Sequence, residues 1–249
     1  MTILQLDAGN TRIKWRVQSQ QREVLAKGVN GYAPGALEKA REEGGGVFSR
    51  IELAAVAGGE RYRWLKRELK QLFDAPCLEA RTESARDGLK NAYARPETMG
   101  VDRWLAMLAV WSRRHRGFVV VDAGSAWTID FVNDLGEHLG GYILPGHRLM
   151  AGALSQGTDR VDFELSDEGV CRPGKSTTEC VVHGLNWLHG VALERVVFDA
   201  RRAGVSEVVI SGGDGRRWLP EQTAVEYWED LVLDGLSAYM SGHGKDLGP

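Results

Sequence analysis

Leu4-Gln5-Leu6-Asp7-Ala8-Gly9-Asn10-Thr11 and Val119-Val120-Val121-Asp122-Ala123-Gly124-Ser125-Ala126 are the same kind of segment met twice. In each, an apolar run of strand type ends in Asp-Ala-Gly, and a β-rich stretch follows. Chance can supply one shared tripeptide. It accounts poorly for two at matching points of a strand–turn–strand pattern, which is the signature of an internal repeat. The alternation after the turn slips by one residue, so the repeat is one of structure rather than of strict sequence. The reading is a duplicated α/β domain, residues 1–115 and 116–249, with a cleft between the halves. Clefts between domains favour ligands.

Working outward from the first copy, residues 3–7 and 13–17 read as strands around Ala8-Gly9-Asn10, and 24–27 as a third. Residues 35–43 suggest a helix closed by Gly44-Gly45-Gly46, 51–57 a strand, and 61–73 an amphipathic helix with Trp64, Leu65, Leu69 and Leu72 inward. Residues 80–98 are polar and carry no clear period. A stronger helix spans 101–114, with Trp104, Met107, Leu108 and Trp111 on one stripe that reads as core. Arg113, Arg114, His115 and Arg116 close it and read as cations in solvent that complement the helix dipole. The second copy gives strands at 118–122, 127–132 and 139–144, helices at 147–155 and 176–203, a buried strand at 208–211 and a last helix near 229–240.

The composition suits a globular protein with a substantial core: 249 residues, 43% hydrophobic and 26% charged. A net charge of −3 argues against wholesale electrostatic binding of nucleic acid. No apolar run approaches the ~20 residues of a membrane helix, and the opening residues read as a strand rather than a signal peptide. The expected location is the cytoplasm. Cys77, Cys171 and Cys180 form no CxxC pair and read as packing residues in a reducing compartment. His183 and His189 do not share a helix face, so no zinc site is expected.

A carboxylate at the end of a buried strand, followed by small residues, suits a magnesium–nucleotide site. The carboxylate can meet Mg²⁺ directly or through its waters, and main-chain N–H groups of a tight glycine turn can face phosphate oxygens. Asn10, Thr11 and Ser125 add polar side chains. Asp-x-Gly also occurs in ordinary hairpins; the pair carries the reading, two bends clamping one polyphosphate.

Gly100-Val101-Asp102-Arg103 opens the 101–114 helix. An acid there can simply cap the helix. The same dipole favours a charged carboxylate able to take a proton from an alcohol as a P–O bond forms. Arg103 can hold a carboxylate or a phosphoryl group, or make a surface ion pair.

Gly169-Val-Cys-Arg-Pro-Gly-Lys-Ser176 matches the P-loop pattern G-x₄-G-K-[ST]. A working P-loop follows a buried strand of a parallel sheet. The preceding residues 162–168 are acidic and make a poor central strand, and one convincing buried strand follows, at 208–211. The match reads as coincidental.

With these residues in order, the chain resembles the type III pantothenate kinases, of the acetate kinase/Hsp70/actin superfamily. Asp7 to Thr11 is similar to that family's first phosphate motif, Asp122 to Ala126 to its second, and Gly100 to Arg103 to its substrate and catalytic motif. Gly140-Gly141, Pro145-Gly146 and Ser211-Gly212-Gly213 fall where its later glycine motifs lie.

The resemblance implies duplicated ribonuclease H-like (actin-like ATPase) α/β domains with a central interdomain cleft, the adenosine motifs in the second. It implies ATP-dependent phosphorylation of pantothenate to 4′-phosphopantothenate, with Mg²⁺, a monovalent cation (K⁺ or NH₄⁺) and a homodimer; that no nucleic acid or membrane partner is expected follows from the charge and the apolar runs above. On this resemblance Asp7, Ala8, Gly9, Asn10, Thr11, Arg12, Ile13 and Lys14 bind ATP, with Ser125 at its phosphates, and Asp122 binds the monovalent cation. Tyr93, Gly100, Val101, Asp102, Arg103 and Thr177 line the pantothenate pocket, with Asp102 as proton acceptor. The second motif usually carries Thr where this chain has Ser125; the hydroxyl is kept. Trp127 beside it reads as packing rather than an adenine platform. The alternatives are a kinase of another small alcohol or acid in the same superfamily, or a nucleotide-binding regulator without turnover.

Overall fold

The structure is a computed structural model that describes residues 1–157, 163–165, 169–219 and 225–242. In chain order its elements are β1 (Thr2–Ala8), β2 (Ile13–Gln18), β3 (Val24–Asn30), α1 (Glu38–Glu43), β4 (Phe48–Ala55), α2 (Gly59–Leu72), β5 (Cys77–Glu79), β6 (Ala85–Arg86), β7 (Leu89–Lys90), α3 (Val101–Arg114), β8 (Phe118–Ala123), β9 (Ala126–Val132), β10 (His138–Pro145), α4 (His147–Gly157), α5 (Thr177–Arg202), β11 (Val208–Ser211), β12 (Val225–Tyr227) and α6 (Leu231–Gly242). Short 3₁₀ turns lie at Pro96–Thr98 and Gly215–Trp218.

The repeat seen in the sequence is a repeat of topology. One five-stranded sheet has the order β3-β2-β1-β4-β5, the other β10-β9-β8-β11-β12. In each, the first three strands form an antiparallel meander, and the last two run parallel to the first. The strand that carries Asp-Ala-Gly is central in both. Central strands are covered on both faces; Leu4, Leu6 and Ala8 in β1, and Val119, Val121 and Ala123 in β8, make one of those faces apolar in each.

The chain forms two compact units. The first takes Met1–Asp87, Tyr93–Arg113 and the last helix from Leu231; the second takes Gly88–Ala92 and Arg114–Asp230. In the first unit, one sheet face packs Leu4, Leu6, Trp15, Ile51 and Leu53 with Leu65 and Leu69 of α2. The other face is polar and yet buried. Register sets Gln5 beside Arg16 and Glu52. The Gln5 amide donates to Glu52 (2.7 Å) and to Ser237 of α6 (2.9 Å), and Arg16 Nη1 donates to Asp234 of α6 (2.7 Å). Arg22 and Arg50 also donate to Glu52 (2.7 and 2.8 Å). Buried charge is tolerated only when paired and hydrogen-bonded in this way.

The second unit packs Val119, Val121, Trp127 and Ile129 with Leu193, Val196 and Ala200 of α5 and with Trp218. Trp127 is therefore a packing residue, as is the α3 stripe, whose four members are all buried. Two expectations are corrected. Cys171 and Cys180 are exposed thiols, and only Cys77 is partly buried. The basic cluster after α3 does more than face solvent: Arg113 pairs with Asp234 (2.8 Å), and Arg114 and Arg116 both reach Glu207 (2.9 and 2.8 Å).

Candidate active site

The first bend joins β1 to β2. Antiparallel register sets Asp7 across from Lys14 and Ala8 across from Ile13. The Gly9 N–H donates to the Arg12 carbonyl (3.0 Å), closing the turn. Asp7 and Lys14 are half-buried, whereas Asn10, Thr11 and Arg12 face solvent. The Ala8 carbonyl accepts the N–H groups of Val56 and Ala57, just past β4 (3.2 and 3.1 Å). The bend is thus held from the neighbouring parallel strand as well as from its own hairpin.

The same strand end borders the expected catalytic motif. A Cβ on Gly100 would lie 2.5 Å from Asp102 Oδ1 and 3.7 Å from Val56 Cγ1. Glycine at 100 therefore makes room for the carboxylate, and Val56 lies beside both Gly100 and the first bend. Asp102 stands in the first turn of α3, half-buried, where the helix dipole favours negative charge. Its Oδ1 accepts the Arg103 N–H (2.8 Å). The capping and the chemical readings of this acid thus describe one side chain. Arg103 is buried; its Nη1 donates to the Tyr93 hydroxyl (2.8 Å), and its guanidinium lies 5.6 Å from the centre of that ring. Thr82 Oγ1 anchors the approach by donating to the Met99 carbonyl (2.9 Å).

The second bend joins β8 to β9 and is tighter: the Gly124 N–H donates to the Ala126 carbonyl (3.1 Å). Two later glycines cradle it. Gly146 donates its N–H to the Ser125 carbonyl (3.0 Å), and a Cβ on it would strike the Gly124 carbonyl. Gly212 has φ +92°, and a Cβ there would strike the Ala123 carbonyl and come within 2.5 Å of Asp122 Oδ1. Asp122 is half-buried beside Ser211 in the β8–β11 register, while Ser125 is exposed. The Asp122 carboxylate and the backbone carbonyls of Ala123, Gly124 and Ser125 thus lie close against these two glycines.

Thr177 belongs to another feature of the second unit. It begins α5 and lines an open groove of about 790 Å³ with Leu154, Lys175, Cys180, Val181 and Leu185. Ser176 is the helix N-cap, its Oγ accepting the Glu179 N–H (3.2 Å), and Glu179 in turn accepts the Lys175 N–H (2.6 Å). With Ser176 committed to the cap, Thr177 is the groove's threonine hydroxyl. The glycine–lysine stretch is therefore the lead-in to a capped helix; residues 162 and 166–168 of the acidic segment before it lie outside the described residues.

Sequence reasoning missed Tyr32. Its hydroxyl donates to the Gly9 carbonyl (2.6 Å). No local pattern marks it, because its partner lies in the earlier bend between β1 and β2.

Two sheets of one topology, each ending its central strand in an Asp-Ala-Gly bend, define a protein of the actin-like ATPase and sugar-kinase fold, built from duplicated ribonuclease H-like domains. Solved structures agree. The activator of 2-hydroxyisocaproyl-CoA dehydratase from Clostridium difficile, with bound ADPNP, matches over 100% of this chain and 99% of its own (TM-score 0.54, 14% identity). Component A of (R)-2-hydroxyglutaryl-CoA dehydratase from Acidaminococcus fermentans matches over 100% of both chains (TM-score 0.53, 17% identity). At these identities the likeness is one of fold. Sequence goes further: the profile of type III pantothenate kinases matches residues 3–199. Proteins of that name from Marinobacter nauticus and Hahella chejuensis are 41% and 36% identical, over 96% and 95% of this chain and 98% and 96% of theirs. The chain belongs to the type III pantothenate kinase family.

Proposed function

We propose that this protein transfers the γ-phosphoryl group of ATP to pantothenate, giving 4′-phosphopantothenate on the route to coenzyme A. The observation that supports it best is local. The first bend and Gly100, two residues before Asp102, border the same strand end at Val56, so a phosphate-binding turn and the motif of the proton acceptor lie side by side.

In this reading residues 7–14 hold the nucleotide, with Ser125 at its phosphates. Arg103 and Tyr93, already paired, face pantothenate together with Gly100, Val101 and Thr177. Asp102 orients the substrate hydroxyl. An alcohol, roughly as weak an acid as water, is not ionised by a carboxylate in the ground state. The proton passes to Asp102 as the new P–O bond forms and the bond to the ADP oxygen breaks. Phosphoryl transfer asks the protein mainly for positioning and charge stabilisation, and the doubly anchored first bend suits that demand.

Among the described residues, no group of three or more Asp, Glu, His or Cys side chains could hold a metal ion. Mg²⁺ commonly needs only one or two carboxylates, with waters and nucleotide oxygens completing its shell. The half-buried Asp7 fits that role; the ion would neutralise phosphate charge. Asp122, against the Ala123 carbonyl and Gly212, fits a monovalent cation such as K⁺ or NH₄⁺.

The protein acts as a cytoplasmic homodimer in this reading. No described helix is long and apolar enough to cross a membrane. Along α5, Trp187, Leu188, Val191 and Phe198 are 40–58% exposed at helical spacing, and Tyr142 and Ile143 of the edge strand β10 are 58% and 62% exposed. An exposed apolar stripe of this kind on α5 suits an interface, and a second copy is the occupant proposed.

The decisive assay incubates purified protein with Mg-ATP, pantothenate or other small alcohols and acids, and K⁺, NH₄⁺ or neither. ADP formation that depends on pantothenate and rises with the monovalent cation is expected. ADP formed only with another acceptor would replace the substrate; none with any acceptor would favour a nucleotide-binding regulator.

A further inference from the structure

We propose that Tyr32 is a positioning residue for the nucleotide phosphates, acting through the Gly9–Asn10 peptide. The proposal rests on the reading of the first bend as a phosphate loop. Tyr32 follows β3, and its hydroxyl donates to the Gly9 carbonyl at 2.6 Å, a short contact for a neutral pair. The peptide unit is planar and trans, so a pinned carbonyl sends the N–H on its far side, that of Asn10, in the opposite direction.

Glycine makes this control necessary. With no side chain at position 9, the backbone there has little steric preference among orientations, and turn types differ by such peptide flips. The Gly9 N–H is already engaged with Arg12. The phenol therefore decides which way the next amide points.

The phenol is itself held. Trp64 of α2 packs edge-on against the ring, centroids 5.6 Å apart, and the Arg61 guanidinium lies 5.9 Å from the ring centre. Burial first, then the nearby negative charge of Asp7, push the Tyr32 pKa up; Arg61 opposes them. A phenol ordinarily titrates at about 10, so the hydroxyl is a donor at neutral pH in any case.

Tyr32→Phe keeps the ring and removes only the donor. Expected is a rise of about 3- to 10-fold in KM for ATP and in Kd for ADP, the scale of one lost hydrogen bond, with KM for pantothenate and the thermal midpoint unchanged. An ATP KM within about twofold of the parent would overturn the proposal, as would equal rises in both KM values with a lowered midpoint, which is mere loosening. Trp64→Phe frees the ring without deleting the hydroxyl. It should raise the ATP KM by a smaller factor, and no change in that folded variant counts against the proposal. Asp7→Asn, run in parallel, separates two failures. If it weakens ADP binding and Tyr32→Phe does not, the role of Tyr32 alone falls; if neither weakens it, the reading of the bend falls with it.

Discussion

A single carboxylate decides the chemistry proposed. Asp102→Asn keeps the shape of the side chain and removes its basicity, so kcat should fall about 10²- to 10⁴-fold while ADP binding, followed by titration, stays near the parent value. Unchanged turnover would remove Asp102 from the mechanism. Gly100→Ala tests the same atom from the other side. The added methyl would crowd Asp102 Oδ1, and kcat should drop at least tenfold with little loss of nucleotide affinity. The bends at Asp7 and Asp122 were legible as candidates because the same Asp-Ala-Gly turn occurs twice at matching points, whereas Asp102 stood out as an acid opening a helix, a position that capping alone also explains. Tyr32 was not legible: a tyrosine in a loop between a strand and a helix has many fates, and the contact that matters reaches back to the preceding hairpin.

Elements were read well where their periods are long. Helix α3 matches its expected bounds, and the six meander strands were all anticipated. Strands β5 and β12 were not, because three residues carry no period to read; parallel pairing with β4 and β11 creates them. At the start of α5, the Ser176-x-x-Glu179 spacing was present in the sequence as a helix start, and the overlapping P-loop pattern drew attention from it. Ser176→Ala should cost about 1 kcal/mol of stability by denaturant unfolding and should move KM for pantothenate more than KM for ATP. Lys175→Ala should leave nucleotide binding unaltered. A lost ADP signal in that variant, with Asp7→Ala harmless, would relocate the nucleotide to this stretch.

At the scale of the molecule, the duplication was visible from two tripeptides because a shared topology needs the same turn at the same place. The membership of α6 was not visible, since chain order does not say which sheet a last helix covers. Its polar docking can be tested. Asp234→Ala leaves the nearly buried Arg16 guanidinium short of its carboxylate, which should cost on the order of 3 kcal/mol, read as a lower urea midpoint. The apolar stripe on α5 belongs to the same scale. Val191→Asp should shift the sedimenting species from dimer to monomer; a parent protein that is already monomeric would remove the assembly.

Helix α6 has a consequence for how the protein is made. Ribosomes deliver the amino end first, yet the helix that covers the polar face of the first sheet is encoded after the second unit. Until Leu231 and its successors emerge, Gln5 and Arg16 lack Ser237 and Asp234. A nascent chain stalled anywhere in the second unit would carry an unfinished first one, with an open sheet face for chaperones to shield.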